Sequence, residues 1–168
     1  MSKWQEGNMN RKKVRLYYIT AVTFFFIFSC VMSLIGTRKM ETVKLLLKER
    51  KSENLVIQKS SIPQTNSLND KIYWILKELI SGPIQNNYER IFDPNIEVMD
   101  IIVKRNTAYI SFDWAFIDSL YINPSLAIDS IVDSILLNVR ELSEVKILIE
   151  GIEPVSTFCN ISLQRAFQ

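Results

Sequence analysis

The chain has 168 residues, with 20 Lys/Arg against 18 Asp/Glu, no histidine, two cysteines and four glycines. Without histidine the commonest general base near neutral pH and the commonest transition-metal ligand are missing, and four scattered glycines write neither a phosphate-cradling loop nor a dinucleotide fingerprint. The first forty residues hold seven Lys/Arg against one Glu, whereas the chain from Glu41 onward holds 13 against 17, and such an acidic part lacks the positive field on which nucleic-acid binding draws.

Residues 1–15 form a basic tail through Lys3, Arg11, Lys12, Lys13 and Arg15. Leu16 to Gly36 then runs for twenty-one residues without a charge. Roughly 20 apolar residues in a helix match the thickness of a bilayer, so 16–36 is expected to be a single transmembrane helix. The basic tail favours a cytoplasmic N terminus and an extracytoplasmic C-terminal domain in the cytoplasmic membrane. Arg38, Lys39, Lys44, Lys48, Arg50 and Lys51 on the other flank weaken that bias. The alternative is a lipoprotein signal, since Ile27-Phe28-Ser29-Cys30 is a loose lipobox that would make Cys30 the acylated residue. Against it, Val31 to Ile35 continues the apolar run where a polar tether is usual. Cys30 and Cys159 are too differently placed to pair, so no disulfide framework is expected.

About 130 residues follow, enough for one domain with a core. Val43, Leu45 and Leu47, then Leu55, Val56 and Ile57, predict two short strands around a turn at 50–54, with a juxtamembrane helix over 41–51 as the competing reading. Ile62 to Asn66 breaks the pattern. Ser67 and Asp70 have capping-box spacing and Gly82-Pro83 is a stop, predicting a helix with Leu68, Ile72, Ile75, Leu76 and Leu79 on its buried stripe. Trp74 falls on the opposite arc, to be covered by another segment or to meet a partner.

Ile84 to Asn95 is polar and irregular. Ile96 to Val103 and Thr107 to Phe112 predict a hairpin across Lys104-Arg105-Asn106, with Asn106 as a left-handed turn residue. Ala108, Ile110 and Phe112 share one face of the second strand. The first strand is apolar on both faces, Val98 and Ile102 against Met99, Ile101 and Val103, which predicts a central position. Asn123-Pro124 opens a second helix with its stripe at Ile128, Ile131, Val132, Ile135, Leu136, Val139 and Leu142. Asp129 and Asp133 lie on its solvent side, a carboxylate pair with no third ligand nearby, so no metal site is expected. Val145 to Ile149 reads as the final strand. Val155 to Gln168 is a tail without a strong period.

These elements in order resemble the GerMN domain, a module of bacterial sporulation and germination proteins that also occurs in envelope proteins of bacteria that form no spores. The matching residues are Val43 to Leu47, the helix ending Leu79-Ile80-Ser81-Gly82-Pro83, the strand Thr107 to Phe112, and the helix from Pro124 leading into Val145 to Gly151. Arg105-Asn106 and Ser111 depart from the usual Gly-containing turn and Asp. The resemblance implies an α+β domain over 37–154, two helices packed on a mixed or antiparallel sheet, similar to the ring-building domains of envelope assembly machines. It carries no catalytic signature and no cofactor.

The leading expectation is therefore a membrane-anchored, extracytoplasmic scaffold of the bacterial envelope, in contact with envelope proteins or with copies of itself. Its candidate interaction surface is Trp74 on the first helix of the domain together with Met99, Ile101, Val103, Tyr109 and Leu148, the last five forming an apolar second sheet face that the tail 155–168 or a partner would cover. The alternative is a lipoprotein acylated at Cys30 that binds a small ligand or an envelope polymer. A Ser/Lys hydrolase is disfavoured, because Ser143 and Lys146 straddle a helix end and a strand start, where side chains three apart point to opposite faces.

Overall fold

The computed structural model describes residues 3–35, 39–52, 54–121, 123–154, 157–158 and 161–162, with side chains over 14–30, 39–52, 54–121 and 123–154. Contacts divide the chain into two units, 1–39 and 40–168. The first is helix α1 (Lys3–Ile35), 33 residues. The apolar run is thus helical, and Leu16 to Ile19, Val22 and Phe24 to Phe28 all expose more than half of their surface. Among the described residues no helix is long and apolar enough to cross a membrane. The side chains described on α1 cover 14–30, short of the roughly 20 residues a crossing needs.

The second unit holds two three-stranded sheets where the sequence suggested one. The first is β1 (Met40–Glu49) between β2 (Leu55–Pro63) and the two-residue β3 (Tyr88–Glu89), all antiparallel. The hairpin forms as predicted and is longer than the apolar clusters alone suggest, because Thr42 to Ser61 and Met40 to Pro63 also pair. Val43, Leu45 and Leu47 face the core. Helix α2 (Leu68–Ser81) starts at Ser67, whose hydroxyl accepts the Asp70 N–H at 3.5 Å. It ends at Gly82, with φ +79°. That conformation suits glycine, and an added Cβ would also meet Arg90 Nε at 2.9 Å. β3 lies in a stretch expected to be irregular; two residues are too few to show a period.

The second sheet is β4 (Val98–Lys104), β5 (Thr107–Phe112) and β6 (Glu144–Ile149), with β4 antiparallel and β6 parallel to the central β5. β4 is therefore an edge strand, not the central one its apolar content predicted. The reason lies in its pairing. Val98 is opposite Phe112 but Asp100 is opposite Ser111, so Met99 is an extra, bulged residue. The bulge puts Val98 on the same side as Ile101 and Val103, which are opposite Ile110 and Ala108. At the hairpin turn the left-handed residue is Arg105, φ 57°, and not Asn106.

β5 leads into α3 (Ala115–Leu120), a six-residue helix without a side-chain cap that the sequence did not announce. It buries Phe116, stacked on Phe112 at 4.3 Å between ring centroids. Helix α4 (Pro124–Asn138) starts as expected, with Asn123 Oδ1 accepting the Leu126 N–H at 3.2 Å, and stops before Val139 and Leu142, which are nonetheless buried. β6 is followed by a tight turn at Glu150-Gly151, both with positive φ, so it is not the last paired segment. Thr157–Phe158 (β7) and Ile161–Ser162 (β8) pair with each other. Whether 155–168 docks on the domain lies outside the described residues, as does Cys159.

α4 does more than bury its apolar stripe. β1 pairs with β3 only at Lys48 and Glu49, leaving the same edge open at Lys44 and Leu46. There α4 supplies side chains in place of a strand. Leu46 N–H donates to Ser134 Oγ at 2.9 Å, and Leu46 C=O accepts from Ser130 Oγ at 2.7 Å. Lys44 N–H donates to Asn138 Oδ1 at 2.9 Å, and Lys44 C=O accepts from Asn138 Nδ2 at 2.6 Å. Ser130, Ser134 and Asn138 recur every four residues, so they line one side of the helix.

Two expectations follow. Ser134→Ala strands the buried Leu46 N–H, at a cost of about 1–3 kcal/mol in chemical denaturation, whereas the exposed Ser125→Ala is close to neutral. Arg105→Gly relieves a left-handed L-residue and raises stability by up to about 1 kcal/mol, read as an upward shift of the denaturation midpoint.

Candidate functional site

The outer face of the second sheet is where the sequence placed an apolar interaction surface, and its register shows a different composition. Three rows cross it: Lys104, Thr107 and Glu144; Ile102, Tyr109 and Lys146; Asp100, Ser111 and Leu148. The opposite rows are Val103, Ala108 and Val145; Ile101, Ile110 and Ile147; Val98, Phe112 and Ile149. Those belong to the core or pack against it. Ile101 and Val103 thus leave the expected surface, and Ile102 joins Tyr109 and Leu148 on it. Met99, on the bulge, is 57% exposed. Trp74, on α2, is half-buried against the core, edge-on to Tyr73 at 5.7 Å and under the Lys77 ammonium at 5.9 Å.

Polar groups order this outer face. Thr107 Oγ1 donates to Glu144 Oε2 at 3.0 Å, and Ser111 Oγ accepts the Gly151 N–H at 2.8 Å. The turn at Glu150-Gly151 brings Glu153 back beside Lys146, whose ammonium donates to its carboxylate at 2.8 Å and lies 5.8 Å from the Tyr109 ring centroid. The hydrogen bond to Glu153, with the nearby negative charge, holds the Lys146 pKa above its ordinary value. A lysine kept protonated is the opposite of the neutral amine that Ser–Lys acyl transfer uses. Ser143 is engaged elsewhere, since its hydroxyl accepts from Asn106 Nδ2 and its N–H donates to the Asn106 carbonyl.

Asp129 and Asp133, the other pair that the sequence brings together, face solvent on α4. Among the described residues no group of three or more potential ligands converges on a metal position. Partial burial, and then the charge of Asp133 one turn away, raise the Asp129 pKa. Cys30 is exposed on α1. Sequence reasoning missed Ser130, Ser134 and Asn138; their four-residue spacing inside an apolar helix was the available signal.

Because the folded-state pKa of Asp129 is raised, its charged form works against folding, and that penalty vanishes as pH falls and the group protonates. Asp129→Asn is expected to stabilise the fold by no more than about 0.5 kcal/mol at pH 7, and the gain should disappear below about pH 3, in paired thermal melts.

No curated protein matches the chain in sequence. Among solved structures, the first GerMN domain of the sporulation protein GerM from Bacillus subtilis is similar, with a TM-score of 0.60 at 16% identity over 73% of this chain and 91% of that one. The tandem GerMN domains of the same protein give 0.59 at 18% identity over 76% of this chain and 44% of that one. A proposed lipoprotein from Clostridium perfringens gives 0.53 at 16% identity over 76% and 87%. These likenesses concern the fold. The profile of the Germane family, described as sporulation and spore germination, matches residues 41–155. On that match, which takes in both sheets and α2 to α4, the chain belongs to the Germane family.

Proposed function

We propose that this protein is a Germane domain held at the outer surface of the bacterial cytoplasmic membrane by an uncleaved N-terminal helix, and that it works through contacts with envelope proteins and without catalysis. The observation that carries the reading is α1. Its large apolar side chains are exposed all round the helix, and a helix apolar on every side needs either a protein interior or lipid. The hydroxyls of Thr20 and Thr23 donate back to the carbonyls of Leu16 and Ile19 at 3.0 and 2.9 Å, the internal satisfaction that a polar group in hydrocarbon requires. The basic tail before it supports a cytoplasmic N terminus. The absence of catalysis is supported by the engaged Ser143 and the protonated Lys146.

A second reading, acylation at Cys30 after cleavage, draws on the loose lipobox Ile27 to Cys30 and on the likeness to the Clostridium perfringens protein.

Protease treatment of cells with a permeabilised outer envelope separates these readings. With an epitope tag after Gln168, the expected outcome is loss of the tag before cell lysis, with an N-terminal fragment that still begins at Met1. A tag protected until lysis overturns the external placement. A mature chain that begins at a lipidated Cys30, seen by intact mass, replaces the anchor with a lipoprotein.

A further inference from the structure

The outer face of the β1–β2 hairpin carries a charge arrangement that the fold does not need. Lys44 and Lys59 are directly opposite each other in the register, both exposed and both on the face away from Val43, Leu45 and Leu47. Like charges directly opposite on a sheet work against folding. The ion pairs among the described residues are Lys48 with Glu89, Lys71 with Glu41 and Lys146 with Glu153, so neither Lys44 nor Lys59 has an acidic partner there. Met40 and Ile57 lie on the same face, 58% and 54% exposed. Charge is also segregated along the sequence. Residues 40–63 carry five Lys/Arg against three Glu, whereas 64–168 carry eight against 14 Asp/Glu.

We propose that this hairpin face rests on the anionic phospholipid headgroups of the membrane in which the chain is anchored; the proposal rests on the anchoring set out above. Exposed lysines mixed with exposed apolar side chains are the composition of a surface that sits at a membrane interface. Four residues separate Ile35 from Met40, at most about 18 Å of extended chain, so β1 starts close to the bilayer surface. The acidic remainder of the domain is repelled by the same surface, which orients the domain with the hairpin toward lipid. The attraction acts within a Debye length, about 8 Å at physiological ionic strength, and so is salt-sensitive.

The test uses the full chain with Cys30→Ser, Cys159→Ser and Ile57→Cys, labelled at position 57 with an environment-sensitive fluorophore. The protein is placed in nanodiscs of phosphatidylcholine alone or with phosphatidylglycerol, each doped with a headgroup-attached quencher. Quenching is expected to be several-fold stronger in the anionic discs and to fall to the phosphatidylcholine level in high salt and in Lys59→Glu. That variant puts an opposite charge across from Lys44, so its melting temperature should be unchanged or higher, and lost quenching cannot be blamed on unfolding. Equal quenching in both lipids, or quenching that survives Lys59→Glu, overturns the proposal. So does a label unquenched in both discs and shielded only by soluble polyphosphate, which would assign the face to an anionic polymer. A chain that does not enter the discs overturns the anchoring itself; a chain that enters with an unquenched label overturns only the hairpin contact.

Discussion

β1 runs through the middle of its sheet, yet the strand on one side of it is only two residues long, and a buried backbone N–H without a partner costs as much as a lost hydrogen bond or more. The fold answers with α4. Ser130 and Ser134, both fully buried, and Asn138 take up the four backbone groups of Lys44 and Leu46 that a neighbouring strand would otherwise engage. This fixes the distance and rotation of α4 against the sheet, because a slide along β1 breaks all four bonds at once. With α4 so placed, Ile128, Ile131 and Ile135 reach the common core, and the chain leaves the helix positioned to lay β6 parallel to β5. A helix used in this way also closes a strand edge that would otherwise invite another chain to pair with it.

In the second sheet a single extra residue decides which side chains meet solvent. Without the bulge at Met99, Val98 would share the outer side with Asp100 and Ile102 and would leave the core. With it, Val98, Ile101 and Val103 all turn toward the core, and the outer face becomes a mixed surface ordered by Thr107, Glu144, Lys146 and Glu153. Bulges also bend and twist an edge strand, and that discourages pairing at the edge. Val98, Ile101 and Val103 thus pack in or against the core, while Met99 and Ile102 stay exposed.

Membership of the Germane family accounts for residues 41–155; an apolar helix precedes them in the sequence, and the first hairpin within them carries Lys44 and Lys59 on its outer face. The pairing of Lys44 with Lys59 brings no stability in water, and an anionic surface would turn that local cost into an attraction. Ser143 and Lys146 are held in separate hydrogen bonds, and the lysine is biased toward the charged form.

The sequence by itself determined the features that short-range physics controls. The cap at Ser67 and the stop at Gly82, the Asn-Pro start of α4, the β4–β5 hairpin and the alternation Ala108, Ile110, Phe112 were legible, because each depends on neighbours within a turn or a strand, whereas over 41–51 a strand and a helix competed. β3 and α3 were not, since two and six residues are too short to show a period or a cap. Of the candidate surface, the register puts Tyr109 and Leu148 on the outer face and Ile101 and Val103 on the inner one, because a bulge is a property of the pairing and leaves no mark in one strand's own alternation. Only the tertiary structure decided what Ser130, Ser134 and Asn138 are for. Their partners lie 84, 88 and 94 residues away, and a hydroxyl's preference for water or for a distant strand edge is settled only when packing removes the water.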